Sequence, residues 1–131
     1  MSDGHRVAVR WQDIDGLGHV NHVEFLTYLE EGRDAWLRSC GVARDGYVVV
    51  RSTVHYRREI TPDMPAVIVR CRAVELGRSS LTTSETLCSE EGELLAEAEF
   101  ALVLWDPATR RSRPLTDSER RSLQDNLEAL R

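Results

Sequence analysis

From His22 to Cys40 the apolar residues return every three or four positions. Val23, Leu26, Leu29, Trp36, Leu37 and Cys40 make one stripe, which Phe25 and Tyr28 widen, and this spacing predicts an amphipathic helix of about five turns. Gly41 suits the left-handed position just past its end. Gly32, inside the helix, costs about 1 kcal/mol relative to alanine; either another backbone comes close there or the glycine lies on a tolerant surface. Ahead of the helix, "HRVAVRW" alternates, with Val7, Val9 and Trp11 on one side, as a half-buried strand does. Beyond the helix the period falls to two. "YVVVRSTVHY", "AVIVRCRAV", "SSLTTSETL" and "LLAEAEFALVLW" read as strands, the last with Leu94, Ala96, Ala98, Phe100, Leu102 and Leu104 on one face and Glu97 and Glu99 on the other. Pro62, Pro65, Gly77, Gly92 and Asp106-Pro107 mark the turns between them. Thr116 and Glu119 have capping-box spacing and open a second helix from Asp117, whose thin stripe of Leu123, Leu127 and Leu130 predicts a peripheral position.

These elements predict an α+β fold, a mainly antiparallel sheet of about five strands with the long helix laid across one face. No repeat, low-complexity tract or linker interrupts the 131 residues, so residues 1–131 read as one domain, long enough to bury a core without staples. The opposite sheet face carries Val49 and Ile68 among arginines and threonines, a composition that another subunit can partly bury.

Charge and cysteine content narrow the chemistry. A net charge of −5 argues against a nucleic-acid partner, which needs a basic surface. All 17 basic residues are arginine, so no lysine can form a Schiff base, and anions must be held by guanidinium groups or backbone N–H groups. Cys40, Cys71 and Cys88 are odd in number and widely spaced, and no apolar run has the length of a signal peptide or membrane span; the reading is a cytoplasmic protein with reduced thiols and no membrane partner.

The richest stretch is "QDIDGLGHVNHVEF", at the entrance to the long helix. Asn21 is a favoured N-cap, Glu24 three positions later completes a capping-box pattern, and Val20 with Phe25 occupies the positions of a hydrophobic staple. With Asn21 capping Val23 or Glu24, the His22 N–H has no intrahelical partner and lies at the positive end of the helix dipole. Gly16 and Gly18 allow a tight turn and close approach to the backbone. Asp13 and Asp15 put at least one carboxylate near that free donor. A donor that polarises a carbonyl, beside a carboxylate that attacks it or activates water, is what acyl transfer needs, and one such donor is worth about 3 to 4 kcal/mol in the transition state. Aspartates and glycines before a capped helix also make an ordinary turn, and composition leaves both readings open.

"DIDGLGHVNHVEFLTYLEEGR" resembles the signature of hotdog-fold thioesterases of the 4-hydroxybenzoyl-CoA thioesterase type, in which D-x-D-x-x-G-x-V precedes a long central helix carrying Y-x-x-Y-x-E-x-x-R. Asp13, Asp15, Gly18, Val20, Tyr28, Glu30 and Arg33 match in order and spacing, with Phe25 where tyrosine is usual. The similarity continues more softly through "VHYRREITPDM" and "VELGRSSLT". "HVN" departs towards relatives that act on long-chain acyl substrates, including acyl-carrier-protein thioesterases, and "PDMP" replaces the usual G-D. The resemblance implies a hotdog fold, its sheet wrapped around the central helix, and hydrolysis of an acyl-CoA or acyl-carrier-protein thioester without metal or other cofactor. It makes Asp15 the catalytic carboxylate, as nucleophile or base, and the His22 N–H the oxyanion donor. It places Gly18, His19, Val20, Asn21 and Val23 around the substrate and Ser79 near the pantetheine or nucleotide. It further implies a homodimer or homotetramer with the site between subunits. A non-catalytic acyl-thioester binding domain is the alternative of another class; the D-x-N-P-x-H pattern of hotdog hydratases is absent.

The same residues fit other schemes less well. Asp15, His19 and His22 have admissible metal-ligand spacing, but His19 precedes the helix that His22 opens and no second ligand cluster follows. Asn21 stands where a dinucleotide fingerprint needs its third glycine. His55 reads as a strand histidine, and no histidine pairs with a cysteine. Arg57, Arg58, Arg110, Arg111 and Arg113 are candidates for holding coenzyme A phosphates, and Glu30 with Arg33 can pair across one helical turn.

Overall fold

The computed structural model describes residues 4–128. In chain order the elements are β1 (His5–Ala8), a 3-10 turn (Trp11–Asp13), α1 (His22–Ser39), β2 (Tyr47–Tyr56), β3 (Ala66–Leu76), β4 (Ser80–Ser89), β5 (Leu94–Asp106), β6 (Arg111–Ser112) and α2 (Asp117–Glu128). The sheet is antiparallel throughout, ordered β1-β3-β4-β5-β2, with β6 paired to the end of β5. α1 packs over β3, β1 and β4, which gives the helix-across-sheet arrangement of the hotdog fold.

Both ends of α1 follow local chemistry. Cys40 is the C-cap and Gly41 turns at φ +87°. The Val42 and Gly41 N–H groups donate to the Leu37 and Arg38 carbonyls, a Schellman closure with Val42 buried behind it. Gly32 is required by packing. An added Cβ would overlap the Val69 side chain of β3, so the close neighbour is a side chain and not a backbone. α2 opens with a full capping box between Thr116 and Glu119, and Leu123 on it is wholly buried. Leu130 lies outside the described residues.

Three sequence expectations change. β1 stops at Ala8 and Trp11 is exposed, because the Arg10 N–H and guanidinium both turn to the Asp13 carboxylate and bend the chain out of the strand. On β5 the buried pair is Leu95 and Ala96, while Leu94 is only half-buried; a register break between Leu87 and Cys88 on β4 faces this point. Arg33 does not pair with Glu30. It makes a bidentate ion pair, 2.8 and 3.1 Å, with Glu85 on the inner face of β4, where Thr83 donates a further 2.7 Å bond to Glu85.

That pair lies in the core, Arg33 at 2 % and Glu85 at 0 % exposure, with the guanidinium carbon 3.9 Å from the centre of the Phe100 ring. A charge so buried persists only when fully paired. Glu85→Ala is therefore expected to cost about 3 to 5 kcal/mol by leaving Arg33 uncompensated, whereas the double replacement Arg33→Met, Glu85→Leu recovers most of that loss. Urea denaturation of the two variants and the parent measures the difference.

Candidate active site

The loop between the 3-10 turn and α1 is a miniature hairpin. Ile14 and Val20 form an antiparallel bridge, the Asp15 N–H donates to the His19 carbonyl at 2.9 Å, and the Gly18 N–H returns to the Asp15 carbonyl at 3.2 Å. Gly18 meets the turn at φ +83°, a region costly for a side chain, whereas Gly16 has no positive φ. The Val20 N–H then donates to the Ile60 carbonyl at 2.9 Å, fastening the hairpin to the segment that follows β2.

α1 begins at His22, and the Asn21 side chain accepts the Val23 N–H at 3.0 Å, as its type predicts. The second half of the expected capping box does not form. The Asn21 N–H, which Glu24 would have taken, donates to the Asp13 carbonyl at 3.3 Å. Val20 and Phe25, the staple residues, are both buried. Among the described residues none accepts the His22 N–H, which is left at the positive end of the helix.

The two aspartates have separate fates. Asp13 is buried, and its carboxylate takes hydrogen bonds from the Tyr28 hydroxyl at 2.6 Å, the Arg10 Nε at 3.0 Å and the Arg10 N–H at 3.3 Å. Burial opposes its charge, but the bonds from Tyr28 and Arg10 outweigh that and hold its pKa below the usual value. Burial and then the same bond push the Tyr28 hydroxyl well up. Arg10 reaches on to Glu31 at 3.0 Å. Asp15 escapes this clasp. One of its oxygens accepts the Leu17 N–H at 2.9 Å, the other stands 3.5 Å from His19 Nδ1, and the side chain remains 26 % exposed.

Asp15 opens onto a cavity of about 440 Å³. Its walls are His19, Val20 and Asn21 from the hairpin, His22 and Phe25 from α1, and Tyr56, Arg57 and Arg58 from the end of β2. Tyr56 stacks edge-on with both the His22 ring, centroids 5.7 Å apart, and Phe25, 5.2 Å apart. Sequence reasoning missed Tyr56, because its strand position showed only that it alternates. Val23 is exposed one residue beyond the cavity wall.

Other expected contributors stand elsewhere. Ser79 lies in the β3–β4 turn, beside Leu104, whereas Tyr56 pairs with Ala96; eight residues along β5 separate these levels, roughly 25 Å. One chain therefore does not bring Ser79 to Asp15. Arg113 is committed to a bidentate pair with Glu119 at 2.8 Å, and Arg110 and Arg111 lie at the β5–β6 turn, again at the far end. Arg57 and Arg58 carry ion pairs with Glu97, 2.8 Å, and Glu93, 3.5 Å. His55 lines a polar cavity of about 400 Å³ on the outer sheet face with Thr53, Ser84, Thr86 and Glu97, a wall built from strand residues alone. Among the described residues no group of three His, Cys, Asp or Glu side chains is arranged to hold a metal ion.

Residues 9–125 match the family model of the thioesterase-like superfamily. The chain belongs to that superfamily. It is similar to a thioesterase from Thermus thermophilus solved with coenzyme A and Zn, at 33 % identity and a TM-score of 0.84, covering 95 % of this chain and 93 % of that one. It is also 26 % identical over 129 residues to the long-chain acyl-CoA thioesterase FadM of Escherichia coli K12, covering 91 % of this chain and 95 % of the relative. The acyl-CoA thioester hydrolase YbgC of Escherichia coli O6:H1 is 27 % identical over 119 residues, covering 86 % and 88 %. The match runs from the segment after β1 through α1 and the remaining strands into α2, so it is not confined to the Asp15 hairpin.

The clasp on Asp13 has a measurable signature. A carboxylate with a depressed folded-state pKa contributes stability that is present above its unfolded pKa, about 3.9, and is lost as pH falls through the folded value. Asp13→Asn is expected to lower stability near neutral pH by about 1 to 3 kcal/mol and to flatten the acid limb of the stability curve. Thermal unfolding between pH 2 and pH 7 tests both.

Proposed function

We propose that this protein hydrolyses acyl-CoA thioesters to the free acid and coenzyme A. The observation that carries the reading is the pairing of the unclasped Asp15 carboxylate with an unpartnered helix N-terminus on one cavity. The thioester carbonyl oxygen accepts the His22 N–H, which offsets the charge it gains as the carbonyl carbon becomes tetrahedral. The Asp15 carboxylate either attacks that carbon to give a mixed anhydride, expelling the thiolate before water completes hydrolysis, or takes a proton from the attacking water. In both schemes the electron pair of the breaking C–S bond leaves on sulfur, and the thiolate takes a proton. Arg57 and Arg58, exposed at the mouth, can exchange their carboxylate partners for the phosphates of coenzyme A.

Long-chain acyl groups are the substrates we favour. The FadM similarity supports this, as do exposed Val23 and Leu26, which continue an apolar strip along α1 from the cavity. Cys40, Cys71 and Cys88 form no disulfide with one another, which fits a reducing, cytoplasmic setting. We further propose a homodimer or homotetramer. β2 is an edge strand of ten residues, largely exposed, and carries Val49 and Val50 at the surface, a feature that protein edges rarely leave unpaired. Sedimentation equilibrium is expected to give two or four times the 14.9 kDa chain; a chain monomeric at assay concentration removes this part.

Release of free thiol from short, long and aromatic acyl-CoAs and from acyl-carrier protein tests the chemistry. Asp15→Asn is expected to reduce turnover by about 10²- to 10⁴-fold, with its circular dichroism unchanged. Binding without thiol release by the parent protein establishes the non-catalytic alternative, and equal rates in parent and variant end the role of Asp15.

A further inference from the structure

We propose that Glu97 is a specificity-determining residue: it holds the Arg57 guanidinium at rest and yields it to a phosphate on the carrier side of the thioester. The inference rests on the reading that the Asp15 cavity takes a coenzyme A thioester.

The backbone brings Arg57 to that cavity. β2 pairs regularly with β5 as far as Tyr56, which lies opposite Ala96. The next two N–H groups, those of Arg57 and Arg58, then converge on one acceptor, the Leu95 carbonyl, at 2.8 and 3.1 Å. Two residues opposing one is the pattern of a β-bulge, which bends the strand and re-aims its side chains. Both residues border the Asp15 cavity, and among the described residues they are the only arginines that do. They give a dibasic rim to a cavity whose other carboxylates are Asp15 and Glu59.

The ion pairs of the chain differ in how firmly they hold. Arg113 gives Glu119 two bonds of 2.8 Å, and Glu119 is buried. Arg57 gives Glu97 one bond of 2.8 Å, with the two side chains 49 % and 42 % exposed. Arg58 stands 3.5 Å from Glu93 and is more exposed still. The bond from Arg57 keeps the Glu97 carboxyl below the usual carboxylate range, so the pair is charged at neutral pH. Water and salt screen an exposed pair of this kind, which makes it weak enough to exchange. A phosphate offers the guanidinium forked acceptance in place of the single bond. Glu97 therefore competes with the phosphate for Arg57, and a thioester without phosphate leaves the pair as it stands. Arg51 and Glu99 supply the comparison. They pair at 3.6 Å, are similarly exposed and lie two residues further along β5, and neither borders the cavity.

The test is the dissociation constant of the full chain for free coenzyme A, 4′-phosphopantetheine and pantetheine, by titration calorimetry, which needs no turnover. Glu97→Gln is expected to tighten coenzyme A relative to pantetheine by about two- to fivefold. Arg57→Gln is expected to weaken it relative to pantetheine by about tenfold or more. In the Arg57→Gln background, adding Glu97→Gln is expected to change nothing further. Glu99→Gln is expected to keep the parent's ratio. A gain shared by 4′-phosphopantetheine places the contact on the phosphate next to the pantetheine arm, and a gain confined to coenzyme A places it on the nucleotide; both support the role of Glu97.

An unmoved ratio in Glu97→Gln overturns the proposal. So does an equal gain in Glu99→Gln, which would make the effect one of net charge, and so does a gain that persists without Arg57. The hydrolytic reading fails separately: expected shifts in affinity without thiol release by the parent keep the role of Glu97 and remove hydrolysis, whereas thiol release with an unmoved ratio refutes Glu97 alone.

Discussion

The hydrogen bond from Tyr28 to the buried Asp13 carboxylate joins the second turn of α1 to the chain that leads into it, while the Asp13 carbonyl takes the N–H of Asn21. Side chain and backbone of one residue thereby fix where the helix starts and how it is aimed. Arg10 closes the arrangement from the strand side. Because Asp13 absorbs the nearby cation and the nearby phenol, Asp15 two positions later is left with one backbone donor and a partly exposed face on the cavity. Two carboxylates of the same type, almost adjacent in the chain, are separated into a clasped, buried one and a partly exposed one by burial and partner choice alone.

Much of the fold was legible because its determinants are local. Asn21 and Gly41 bracket α1 through backbone hydrogen bonds with near neighbours, and the alternation in β3, β4 and β5 survives as alternating burial. What failed was non-local. Trp11 continues an apolar alternation, yet nothing in that pattern shows that Arg10 will turn to Asp13 and leave the indole in solvent. Arg33 has a carboxylate three residues away on its own helix, and its true partner, Glu85, is 52 positions distant on β4. Residue spacing within a helix says which pairs can meet, not which charge a folded core will enclose. The site divides in the same way. The hairpin and the free helix end could be read from Gly18 and Asn21, but spacing left Asp13 and Asp15 equivalent, and resemblance supplied the choice. The contribution of Tyr56 depends on where β2 ends against α1, which strand periodicity does not contain.

The Arg33–Glu85 pair places a demanding polar contact among the buried apolar side chains. Its two forked bonds and the Thr83 hydroxyl admit one placement of α1 over β4, since sliding the helix by a turn would strand both charges. Gly32, one residue earlier and seated against Val69, sets the height of the helix above the sheet while the ion pair sets its position along it. The orientation of the helix N-terminus towards the cavity follows from both.

The bond from Val20 N–H to the Ile60 carbonyl ties the Asp15 hairpin to the same short segment that carries Arg57 and Arg58. Gripping a polyanion with those guanidinium groups would pull on the strut that supports the carboxylate loop. Under the proposed function, recognition of the distant, non-reacting end of a large thioester and alignment of its scissile bond would share this one mechanical anchor.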